Sequence, residues 1–338
     1  MRNKLEVDEM KFTSLVLGRE IPEHIKRCLE EQPARSGMYN WIFAHKGEIN
    51  TFWDVKERVD DFDQIQVNMS PVDFPMIMEL RNKLKGSSTK LILNNDYVCE
   101  AWQNWGIDPL RYDQLQKAGD MVFGTEPHQV SNMIDGAFTI PHPTNTEALK
   151  KLGTTKQRDS AGYIYHWWAP QTYLGSRTME AVKKKFNIKK SAIYGYTKPE
   201  RDQMNRWHGV MFDRDVGMMQ FPEFAQTIQQ EKVVYDPNPC HTYGRNGVEL
   251  ACMGTPVVGS NRVYSYSKLM PELTCDPFDH KATLEKFKLA LDEEKSAEIM
   301  KKAHEEVEQF NYKNSLKKYK EATDIAFDRG GCDWYSRQ

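Results

Sequence analysis

The sequence has no long apolar run. None of its hydrophobic stretches approaches the ~18 residues that a membrane span needs. Its opening, MRNKLEVDEM, is charged throughout and lacks the apolar core of a secretory signal. The six cysteines (Cys28, Cys99, Cys240, Cys252, Cys275, Cys332) are scattered, with no CxxC pair and no histidine at zinc spacing. That pattern argues against a disulfide scaffold or zinc module and leads us to expect reduced thiols in a cytoplasmic protein. An excess of one charge is missing too: 46 Lys+Arg stand against 48 Asp+Glu, a formal net charge of -2. No global positive field therefore draws nucleic acid, although a local basic patch stays open. Walker A, GxGxxG, HExxH and GxSxG segments are absent, which removes support for kinases, dehydrogenases, zincins and α/β-hydrolases.

What is present is a chain of 338 residues with 15 Phe, 15 Tyr and 8 Trp, enough apolar and stacking surface to rule out disorder of the whole despite a mean hydropathy of -0.71. Its length suits two domains of roughly 150 residues. Short β-rich runs alternate with helical ones: FTSLVL, then EIPEHIKRCLEEQ; MYNWIFAH, read as the second strand; DQIQVN, then DFPMIMELRNKLKG; TKLILNND, then VCEAWQNWG; DMVFGTEP, then HQVSNMIDG. After the proline-punctuated Pro141–Asn145 the alternation restarts with AGYIYHWW and runs to TPVVGS. Strands separated by helices imply right-handed crossovers and parallel sheets. The expectation is α/β: two Rossmann-like doubly wound domains facing a cleft, residues 1–143 and 144–312, followed by a helical tail over 313–338. Ligands in such sheets bind at the carboxyl ends of the strands, where the strand order reverses.

The most informative stretch is YDPNPCHTYGRNGVELACMGTPVVGS, Tyr235–Ser260. A strand ends at Asp236-Pro237, a turn rich in Pro, Asn and Gly follows, and a helix opens near Gly244-Arg245-Asn246-Gly247. Its unpaired first-turn N–H groups, at the positive end of the helix dipole, suit a phosphate or sugar oxygen. Glu249 sits where a carboxylate can accept both hydroxyls of a ribose. The bland alternative is a plain strand–turn–helix with a structural Gly and Pro.

Gly244, Glu249, Ala251, Gly254, Pro256, Val257 and Val258 fall in register with the signature of group 1 GT-B glycosyltransferases, and the segment resembles their sugar-nucleotide site. The resemblance implies that Glu249 holds the donor ribose and that Gly244, Arg245 and Asn246 face the diphosphate and sugar. His241 stands where the family has the first Glu of its motif, which puts the retaining mechanism in question. IPHPTNTEALKKL looks like the family's interdomain segment. YIYHWWAPQTYLGSRTMEAV matches the first unit of its nucleotide-binding domain, with Arg177 as the cation for the diphosphate. Where group 1 enzymes often carry a His-Asp pair, this chain has Asn95-Asp96. That strand end, LILNND, more closely resembles the phage DNA β-glucosyltransferases, in which an Asp at this place is the catalytic base. Asp96 is accordingly the candidate base, its alternative being a helix N-cap.

Other features are weaker. Asp213-Arg214-Asp215 matches a metal-binding D-x-D, but the fold expected here works without a metal or other cofactor. Lys183, Lys184, Lys185, Lys189 and Lys190 form a basic cluster, ordinarily a solvated face. Trp102, Trp105, Trp167 and Trp168 lie near strand ends, where rings stack on sugars or bases or fill the core, and His45 follows the second strand. The expected function is transfer of a sugar from a nucleotide diphosphate donor, UDP-linked, to a hydroxyl acceptor, with hydroxymethylated DNA one option. The alternatives are a nucleotide-sugar epimerase or phosphorylase of similar fold, and a non-catalytic nucleotide-sugar or nucleic-acid binding protein.

Overall fold

A computed structural model of the chain describes residues 10–16, 19–23, 25–26, 37, 39–69, 74–96, 108–152, 159–164, 172–193, 211–216, 219 and 221–328. They form two compact units. The first takes Gly37–Pro143 together with the N-terminal strand and the C-terminal helix; the second takes Thr144–Asn311.

In the first unit, β1 (Phe12–Val16), β2 (Glu48–Thr51), β3 (Gln64–Asn68), β4 (Lys90–Asn95), β5 (Met121–Gly124) and β6 (Phe138–Thr139) run parallel in the order β2-β1-β3-β4-β5-β6. β3 and β4 pair through Ile65↔Leu91 and Val67↔Leu93. Every residue of β1 and β3 is buried, as in a parallel sheet covered on both faces. Leu15, Ile65, Val67, Leu91, Leu93 and Val122 make the core with Ile77 and Leu80 of the helix Phe74–Lys83.

One element differs from expectation. The segment MYNWIFAH contains not a strand but helix α1 (Asn40–His45), closed by Lys46 at φ 54, whose N–H returns to the carbonyls of Ile42 and Phe43. The actual neighbour of β1 is the polar edge strand Glu48–Thr51. The helix Tyr312–Asp328 also belongs to this unit. Its Tyr319 donates from Oη to Gln64 Oε1 at 2.8 Å and packs beside Trp41, His45, Phe12 and Phe123. Burial within this aromatic cluster lowers the pKa of His45 to about 3, so the ring is neutral. His45 is a packing residue, stacked on Phe12 with ring centres 4.1 Å apart.

In the second unit, β7 (Ser160–Ile164), β8 (Lys189–Ile193), β9 (Arg214–Asp215), β10 (Val233–Asp236), β11 (Val257–Ser260) and β12 (Thr274–Cys275) run parallel in the order β12-β11-β10-β7-β8-β9. The strand order reverses between β7 and β10, and in the first sheet between β1 and β3. Among the described residues no helix is long and apolar enough to cross a membrane.

Candidate active site

At the reversal of the second sheet, β10 ends on Asp236 and the chain turns through Pro237–Tyr243 into helix α2 (Arg245–Met253). The turn is fixed from within and from outside. Asp236 Oδ1 accepts from the Asn238 N–H (3.2 Å) and Asn238 Oδ1 from the Cys240 N–H (3.0 Å), two successive side-chain turns. From the loop after β11, Arg262 donates to the Pro239 carbonyl at 3.0 Å. The N–H groups of Tyr264 and Ser265 donate to the carbonyls of Thr242 and Tyr243.

The glycines have a packing reason. Helix α3 (Tyr264–Leu269) lies against α2 so closely that a Cβ on Gly247 would stand 2.0 Å from Ser265 Oγ, and one on Gly244 would stand 2.1 Å from Val263 Cγ1. Gly244 also holds φ +75, a left-handed conformation natural to glycine. As N-cap it offers no side chain to the first turn of α2, which opens uncapped. His241, Arg245 and Asn246 are half-buried at this helix start, so the structure brings together four of the residues singled out by sequence.

Glu249, which the resemblance implies for the donor ribose, lies in the buried part of α2. The whole of Gly247–Met253 is buried and Glu249 is 0% exposed, its charge felt by Tyr266 and Cys252. Burial first, then the carboxylates of Glu308 and Glu249, push the Cys252 thiol up to about 12. Tyr266 is held well above its ordinary value by burial and by Asp236, to which its hydroxyl donates at 2.5 Å. Arg177 is exposed on the helix Thr172–Phe186. The segment before that helix lies outside the described residues, as do Trp102, Trp105, Trp167 and Trp168.

In the first unit Asp96 follows β4, flanked by paired amides: Asn94 Nδ2 donates to Asn68 Oδ1 and Asn95 Nδ2 to the Tyr112 hydroxyl, both at 2.8 Å. The Asp96 side chain is 8% exposed and its Oδ1 meets Nε2 of the fully buried His142. Sequence reasoning missed His142 and took its surroundings for a linker; the one available signal was a titratable ring between two prolines.

Asp213 precedes β9, the edge strand of the second sheet, in which Asp215 pairs with Ala192 of β8. Asp213 is engaged by Lys183 Nζ (2.5 Å) and the Lys190 N–H (3.0 Å). Its burial works against ionisation, but these partners outweigh it and hold the carboxyl below its usual range. Lys190 is buried against Glu180 and Lys185 reaches Glu285, so with Lys183 three of the five lysines of the basic cluster are in ion pairs. Among the described residues no three His, Cys, Asp or Glu side chains gather as a metal site would need.

No protein-family model matches the chain, and no curated protein matches it in sequence. Solved structures do match. Anabaena HepE in complex with UDP and glucose superimposes with a TM-score of 0.67 at 12% identity, over 94% of this chain and 100% of that one. Sucrose-phosphate synthase from Thermosynechococcus elongatus gives 0.66 at 14%, over 95% and 100%. The fold is GT-B. TarM, at 0.61 and 15% identity, covers 80% of this chain and 57% of its own. At these identities the likeness is one of architecture. Within a GT-B chain, the strand–turn–helix at Asp236–Met253 and the strand end at Asp96 occupy carboxyl edges, one in each sheet.

Proposed function

We propose that this GT-B protein transfers a sugar from a UDP-sugar to a hydroxyl acceptor. The observation that carries the reading is the uncapped start of α2 behind Gly244, held rigid at the strand reversal of the second sheet. Its N–H groups and dipole suit the diphosphate oxygens, with Arg245 and Arg177 as cations. Asn246 and His241 border the sugar, and Glu249 takes the ribose hydroxyls. The presence of UDP and UDP-glucose in the HepE crystals supports the choice of nucleotide.

On the acceptor side Asp96 is the base. It removes the proton from the acceptor hydroxyl as that oxygen bonds to the sugar C1; the bond from C1 to the β-phosphate oxygen breaks and its electron pair leaves on UDP. N–H groups and cations carry the developing charge, so no metal or cofactor is required, and turnover is expected to survive exhaustive EDTA. Loss of activity with chelator, restored by manganese, would overturn that point.

The test of the reading is a thermal-shift screen against UDP, GDP, ADP and their sugars, because a ligand of the folded state raises Tm. UDP is expected to give the largest shift. Asp96→Asn should keep that shift while turnover drops by about 10²–10⁴-fold. Small sugars and, on account of LILNND, hydroxymethylated duplex DNA are the acceptor arms. No shift with any nucleotide would remove the proposal.

A further inference from the structure

We infer that His142 is a positioning residue for the Asp96 base; the inference rests on the function proposed above. An ionised carboxylate can only accept hydrogen bonds, so its contact with His142 places the ring proton on Nε2, donating to Asp96 Oδ1. That assigns the tautomer and fixes one carboxylate oxygen of the base.

The ring is itself held. Pro141 and Pro143 restrict the backbone on both sides of it. The Ile140 N–H donates to the Gly124 carbonyl at 2.9 Å, which continues the β5–β6 ladder up to this segment. Asn40, itself buried at the start of α1, donates from Nδ2 to the Pro143 carbonyl at 2.9 Å. With 0% of its side chain exposed, the imidazole is shut off from solvent, and in the proposed reaction it acts through Asp96. A base held this way keeps its attack geometry, and a misplacement of 1 Å can cost about 10²-fold in rate.

The readout is UDP release from UDP-glucose, UDP-galactose, UDP-N-acetylglucosamine and UDP-glucuronate with water as acceptor, pursued on whichever donor wild type turns over fastest. His142→Leu is expected to lower kcat by about 10²-fold with the donor KM unchanged. His142→Gln, whose amide nitrogen can stand where Nε2 stood, is expected to restore most of that loss. In the Asp96→Asn background the Leu substitution should cost nothing further, because a residue acting only through Asp96 has nothing left to position. Melting temperatures are taken for each variant; if His142→Leu fails to fold, His142→Asn takes its place in the same cycle. Equal losses in both backgrounds, or a Gln variant as poor as Leu, would overturn the role of His142 and leave the transferase reading standing. A wild-type protein that releases UDP from none of the four donors would bring down the transferase reading and this inference together.

Discussion

At the scale of single residues, Glu249 is the one whose surroundings decide how it can be tested. It is fully buried on α2, so Glu249→Ala would open a cavity among buried polar neighbours and confuse binding with folding. Glu249→Gln keeps the volume and removes only the charge. If Glu249 holds the ribose, UDP affinity in a calorimetric titration is expected to fall by about 10- to 100-fold, the value of a hydrogen bond to a charged group, with Tm nearly unchanged. Wild-type affinity in this variant would take Glu249 out of the donor site. The spacing Gly244–Glu249–Pro256 was legible because the motif is local, a single strand–turn–helix. The burial of Glu249 was not, since it depends on how distant elements pack around α2, and neither was the Asp96–His142 contact, which joins residues 46 apart in sequence.

At the scale of elements, α1 shows where reading by pattern fails. Trp41 and Ile42 follow one another and are both buried, and a short apolar run has the same look in a buried strand and in a six-residue helix. The true strand β2 has no such run, because it is an edge strand with an exposed Glu48. By contrast the longer alternation of strands and helices was readable, since β1, β3, β4, β5, β7, β8, β10 and β11 each carry a buried run.

The same element carries a pH prediction. His45 titrates near 3 in the folded chain and near 6.5 when unfolded, so the unfolded state binds the extra proton between those values. Its neutral packing is fully stabilising above pH 6.5 and is lost as pH falls, by up to about 1.4 kcal/mol per pH unit. Carboxylates held low, such as Asp213 and Glu308, weaken the fold only from their ordinary values of 3.8 and 4.5 downward. Those losses begin below the interval from pH 6.5 to 5, across which the contribution of His45 is read from the difference between wild type and a His45 variant. Denaturant melts of wild type should lose stability across that interval, and His45→Phe should lose less. Parallel slopes would contradict the assignment.

At the scale of the whole molecule, the last helix determines what the first unit can do alone. Ending the chain at Asn311 removes Tyr319, and with it the partner of Gln64 and the centre of the ring cluster around Trp41, His45 and Phe12. Hydrogen exchange on such a truncation is expected to show β1, β3 and α1 losing protection while β7, β10 and β11 keep theirs. Full protection throughout would show that the helix is dispensable.

This return of the chain also bears on how the protein is made. A ribosome delivers residues from the amino end, and domains generally fold as units, the amino-terminal one first, while synthesis proceeds. Here the unit that emerges first includes the helix Tyr312–Asp328, which is made only after the segment Thr144–Asn311 of the second unit. The unit begun first is thus the last to be completed. A chain ending just short of Tyr312 would carry the whole segment Thr144–Asn311 and, ahead of it, a sheet whose aromatic floor still lacks Tyr319.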